Sequence, residues 1–120
     1  MGIESNSYAI EYAEKNAADN GVKRVQFRKA DAAEIAPQLF QENSPDLVLL
    51  NPPRTGLTPE LIASLLLKPP KHLIYISCMP STLARDLHEL CKGPYRIQKG
   101  YVIDMFPQTA HVETLVHLSC

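Results

Sequence analysis

The sequence contains no tryptophan, and aromatic residues make up only 7% of its 120 positions. It also lacks any apolar stretch of the roughly 20 residues that a helical membrane span requires. The N-terminus shows no basic-then-apolar signal pattern. Together with 45% hydrophobic and 21% charged residues, this leads to the expectation of one globular domain in the cytoplasm. Cysteine is scarce and unpaired: Cys78, Cys91 and Cys120 form no CxxC. That argues against a disulfide framework and against a zinc site, so no metal is expected and a free thiol is left for chemistry. Charge of one sign is missing too. With 12 basic and 13 acidic residues the net charge is −1, too weak for a broad nucleic-acid footprint. A polynucleotide substrate would have to find most of its phosphate contacts elsewhere. The five glycines, at 2, 21, 56, 93 and 100, form no GxGxG loop.

What is present is an alternation of two periodicities. Ser5 to Asn20 carries Ala9, Tyr12, Ala13 and Ala17 at helical spacing, with Gly21 placed to end the helix. Val25–Lys29 reads as a strand, and Ala32–Gln41 as a helix with Asp31 at its mouth. Leu47–Leu50 is a buried strand that runs into NPPRTG. Thr58 and Pro59 open a helix over Pro59–Leu67. His72–Ser77 is another buried strand, Ser81–Leu90 another helix, and Tyr95–Ile103 and His111–Leu118 are β-rich. Strands alternating with helices predict an α/β fold: a mostly parallel sheet with helices on both faces, and an antiparallel pair near the C-terminus.

Open α/β sheets bind ligands beyond the carboxyl ends of their strands. Four polar groups fall at such ends: Glu4, Asp31, Asn51 and Cys78. Glu4 is a candidate for ribose hydroxyls, or else simply complements the dipole of the following helix. Asp31 is a candidate for an amino group, or a helix cap. Asn51 precedes two prolines that make a rigid turn, suited to holding a planar base or serving only as a connection. Cys78 stops an apolar strand just before Pro80, where a helix N-terminus favours a thiolate; a buried cysteine is otherwise a small hydrophobe. Glu113 enters an apolar strand either as a surface residue or as a base.

Four stretches, GIES at 2–5, NPPRTGL at 51–57, YISCMPSTLARDL at 75–87 and DMFPQTAHVE at 104–113, resemble the uracil-C5 RNA methyltransferases. They occur in the family's order over almost the whole chain. The resemblance implies a Rossmann-like class I methyltransferase fold and S-adenosylmethionine as cofactor. It implies RNA as partner, 23S ribosomal RNA ahead of tRNA. Cys78 matches the nucleophile, Glu113 the base that removes the C5 hydrogen, and Glu4, Asp31 and Asn51 the donor contacts. Many members have Asp where Asn51 stands, a change that keeps hydrogen bonding and loses charge. Arg54, Thr82 and Arg85 are candidates for contact with the uracil or a nearby phosphate.

The family's first strand and glycine-rich loop have no counterpart in these 120 residues, nor do its N-terminal RNA-binding parts. The chain is therefore expected to be the C-terminal part of a methyltransferase domain, inactive alone and prone to pair with itself along open sheet edges. Two alternatives stand beside this one. An amino-group N-methyltransferase would use the Asn-Pro-Pro turn and need no cysteine, and a catalytically silent interaction domain would need neither.

Overall fold

Short β-branched runs and longer Ala- and Leu-rich runs each take the backbone their side chains favour. The computed structural model describes residues 1–109 and 111–120; Ala110, within the DMFPQTAHVE stretch, lies outside them. The elements are β1 (Gly2–Glu4), α1 (Ser7–Asp19), β2 (Phe27–Lys29), α2 (Ala32–Glu42) and β3 (Leu47–Leu50). They continue with α3 (Pro59–Leu67), β4 (His72–Ser77), α4 (Pro80–Lys92), β5 (Arg96–Ile103) and β6 (Glu113–Ser119). Helix starts follow the capping chemistry. Asn6 accepts the Tyr8 amide through Oδ1 at 2.9 Å, Asp31 caps α2, and Thr58 accepts the Leu61 amide with Pro59 in the first turn. Asn6 is the cap of α1, which therefore begins at Ser7.

The expectation of one mostly parallel sheet needs correction. β1 and β2 form a two-stranded parallel sheet, and the other strands form a separate sheet in the order β3-β4-β6-β5. In the latter, β3 and β4 are parallel, while β6 runs antiparallel to both β4 and β5.

The expectation of helices on both faces is also corrected for the four-stranded sheet. Leu50, Leu73, Tyr75, Val116 and Leu118 point to one side and pack with Leu57, Leu61 and Leu65 near α3, and Leu83 and Leu90 of α4. Alternation sends Leu47, Leu49, Ile74, Ile76 and Leu115 to the other side. There Leu47 is 52% and Leu49 60% exposed, and no described helix covers them. Among the described residues no helix is long and apolar enough to cross a membrane.

Candidate active site

Cys78 directly follows β4, and strand alternation decides which way it faces. Ser77 is buried on the core side, where its Oγ accepts the Met79 amide at 3.0 Å and closes the turn into α4. Pro80 occupies the first turn of that helix, as its position predicts. The next residue along from Ser77 must face the opposite side. The β4–β6 register pairs Ser77 with Thr114, so one further rung brings Cys78 across from Glu113. Side chains directly opposite each other on antiparallel strands have Cβ atoms about 4.5–5.5 Å apart. Both residues are half-buried, and both line a cavity of about 310 Å³ together with Arg54, Phe106, Thr109 and His111.

Phe106, Thr109 and His111 were not singled out as site residues by sequence reasoning. Their signal was their place in the same stretch as Glu113, but spacing alone does not reveal a fold-back. A tight turn produces it: the Thr109 hydroxyl donates to the Phe106 carbonyl at 2.7 Å and accepts the His111 amide at 3.2 Å. Gln108 sits at φ +68° inside this turn, a left-handed conformation that side chains seldom adopt. Strain of this kind often accompanies binding sites.

The NPPRTGL stretch supplies the opposite wall. Gly56 donates its amide to Pro53 at 2.9 Å and takes φ +79°, which glycine alone adopts without penalty. Arg54, at the tip, reaches the cavity. Thr82 and Arg85, expected beside the substrate, turn instead to the backbone of this loop and do not line the cavity. The Thr82 hydroxyl donates to the Arg54 carbonyl at 3.0 Å, and Arg85 donates to the Thr55 carbonyl at 2.8 Å.

Asp86, fully buried, is the residue sequence reasoning missed most clearly. Its Oδ2 accepts the Leu57 amide and the Tyr75 hydroxyl, each at 2.7 Å, and its Oδ1 accepts both Nε and a terminal nitrogen of Arg85. Burial, and then the hydrogen bond and charge of Asp86, push the Tyr75 phenol well above its ordinary range. A buried aspartate looks, in sequence, like any polar residue of an amphipathic helix.

Glu4, Asp31 and Asn51 stand at or just beyond the carboxyl ends of β1, β2 and β3, all exposed. Glu4 is held below the usual carboxylate range, chiefly by the Asn6 amide, which donates to Oε1 at 2.8 Å. The Ser5 hydroxyl donates to that same oxygen, so the second carboxylate oxygen is not needed to close the turn. Asp31 accepts the Ala33 amide at 2.8 Å, so the capping role is realised. Carboxylate acceptors on Glu4 and Asp31 and an amide on Asn51 are group types able to pair with ribose hydroxyls and a nucleobase. None of the three lines the cavity that holds Cys78 and Glu113. A larger concavity of about 560 Å³, between α1 and β2, is lined by Glu14, Ala17, Val22 and Phe27 among others and contains none of the expected site residues. Among the described residues no group of three or more His, Cys, Asp or Glu is placed to hold a metal.

Comparison with known proteins gives a consistent result. The family model described as tRNA (Uracil-5-)-methyltransferase matches residues 2–120. An uncharacterised RNA methyltransferase of Protochlamydia amoebophila is 51% identical over 118 residues, covering 98% of this chain and 27% of the relative. One from Listeria monocytogenes is 47% identical, covering 98% of this chain and 26% of its own length. The chain thus spans little more than a quarter of these curated relatives. A crystal structure of Pyrococcus abyssi tRNA (uracil-54, C5)-methyltransferase in complex with S-adenosyl-L-homocysteine matches with a TM-score of 0.84 and 38% identity, over 98% of this chain and 28% of that one. Precorrin 8w decarboxylase from Methanobacterium thermoautotrophicum, at 16% identity and a TM-score of 0.63, shares the fold alone.

Proposed function

Because this chain belongs to the tRNA (uracil-5-)-methyltransferase family, we propose that the complete gene product methylates C5 of a uridine in RNA, in the cytoplasm, with Cys78 as nucleophile and Glu113 as base. One observation carries the reading: Cys78 and Glu113 line the same cavity from adjoining ends of β4 and β6. Uracil C5 is a weak nucleophile. Attack of the Cys78 thiolate on C6 forms a C–S bond and pushes the ring electrons towards C5. Glu4, Asp31 and Asn51 would hold S-adenosylmethionine, whose sulfonium would supply the methyl group to C5, its carbon–sulfur bond breaking as the new carbon–carbon bond forms and S-adenosylhomocysteine leaving. Glu113 next takes the hydrogen from C5, and the electron pair left behind restores the C5–C6 double bond as it expels the Cys78 sulfur. A uridine in a helix or stack must swing out to reach this cavity. Arg54, the cation lining it, contacts the uracil or its phosphate.

The RNA is 23S ribosomal RNA or tRNA. The Asn-Pro-Pro wording favours the first, and the likeness to a solved tRNA enzyme supports the second. The test uses the complete gene product with transcripts of each RNA that carry 5-fluorouridine. Fluorine at C5 cannot leave as a proton, so the protein–RNA bond survives denaturing electrophoresis. A trapped complex with one transcript identifies the substrate. Absence of a complex with both sinks the proposal.

A further inference from the structure

We infer that Thr82, Arg85 and Asp86, on one face of α4, are positioning residues that set Arg54 over Cys78. The inference rests on the proposed function and goes beyond it. Positions 82, 85 and 86 follow the i, i+3, i+4 spacing of a single helical face. Each engages the 51–57 loop: Thr82 through the Arg54 carbonyl, Arg85 through the Thr55 carbonyl, and Asp86 through the Leu57 amide. The same Asp86 oxygen also takes the Tyr75 hydroxyl. Tyr75 lies on β4, three residues before Cys78. A single buried carboxylate therefore joins the strand that ends in the thiol, the loop that carries Arg54, and the helix between them.

The contacts are specific in a way that general packing is not. The Asp86 charge has no exposure to water and is matched by four donor bonds, so losing one donor leaves it poorly compensated. Gly56 shows how closely the loop is drawn in. A Cβ built there would meet Asp86 Oδ2 at 2.5 Å and an Arg85 terminal nitrogen at 2.6 Å. A loop held this tightly fixes the backbone of Arg54, and so the root of its side chain, at the rim of the cavity that Cys78 lines. Small displacements at a reacting centre have large kinetic effects.

The experiment measures single-turnover adduct formation between the complete gene product and 5-fluorouridine RNA. RNA affinity and thermal melting are followed in parallel. Asp86→Asn is expected to form adduct about 10- to 100-fold more slowly, with RNA affinity within about twofold of the parent. Tyr75→Phe and Gly56→Ala perturb the same junction and are expected to slow the reaction similarly; they carry the test if Asp86→Asn does not fold. Arg54→Ala is expected to reproduce the loss, and the Arg54→Ala/Asp86→Asn pair to be no slower than either alone, because both remove one function. A stability-only role predicts losses that multiply, or folded variants that react at the parent rate, and either result overturns the inference. A parent protein that forms no adduct instead refutes the proposed function itself.

Discussion

Cys91 lies within α4 and Cys120 just past β6; Cys78, just past β4, is the one on the sheet face away from the core and across from Glu113. That placement makes its chemistry separable from that of Glu113. In the complete gene product, Cys78→Ser should abolish both methylation and trapping. Glu113→Gln should still form the carbon–sulfur bond and stall on release. Turnover then falls about 10²- to 10⁴-fold, while a complex with ordinary uridine RNA accumulates on denaturing gels. Equal loss of the complex in both variants would contradict the division of labour. Two tyrosines set a second behaviour at this scale. Burial first, and then Asp86, raise the Tyr75 phenol; burial first, and then the charge of Cys120, raise that of Tyr95. Both groups hold their protons more tightly folded than unfolded, where the value is about 10. Their contribution to stability is complete below about pH 10 and declines as pH climbs towards the folded values. Urea midpoints should hold between pH 8 and 9 and drop by pH 11, with a smaller drop in Tyr95→Phe, which removes one of the two phenols.

At the scale of elements, α1 and α3 contrast. No residue of α1 is buried, whereas α3 sends Leu61, Ser64 and Leu65 inward, with Leu65 at 0% exposure. Asn6→Ala removes the bonds to the Tyr8 and Ala9 amides and costs about 1 kcal/mol. Because α1 is held by few inward contacts, the effect should remain local: hydrogen exchange speeds up across 7–19 while protection in β4 is unchanged. Leu65→Ala should cost about 2–5 kcal/mol and lower protection in the whole four-stranded unit. Element identity was largely legible in the sequence. The spans Leu47–Leu50, Pro59–Leu67 and His72–Ser77 form as their patterns predict, because a cap, a proline or a short β-branched run defines each end. Two strand ends shifted. β2 starts at Phe27 instead of Val25, and β6 at Glu113 instead of His111, since extended backbone counts as a strand only where a neighbour pairs with it.

For the whole molecule, the decisive feature is one uncovered face with an open β3 edge. Leu47 and Leu49 alternate out of β3 into solvent, and Tyr101 and Ile103 of β5 lie on the same side, 55% and 41% exposed. An apolar strand with unpaired backbone is a template for another strand. The isolated 120-residue chain should therefore self-associate, and sedimentation velocity should show species larger than 13.4 kDa. Leu49→Lys should shift the population towards monomer, and an unchanged distribution would place the contact elsewhere. The same isolated chain should bind S-adenosylmethionine weakly, since it contains no glycine-rich loop; micromolar affinity by calorimetry would contradict this.

Sequence by itself determined the alternation of elements, the family, and the candidacy of Cys78, Glu113 and the strand-end acids, because caps, periodicity and motif wording are local. Tertiary structure decided the rest. Only the β4–β6 register brings position 78 across from position 113, and only the packing of α4 on the 51–57 loop turns Thr82 and Arg85 to backbone carbonyls and seals Asp86 beneath them. Those contacts join residues 28 to 35 positions apart. The physical reason is that burial and pairing depend on which segments meet in space, and no local pattern encodes the meeting.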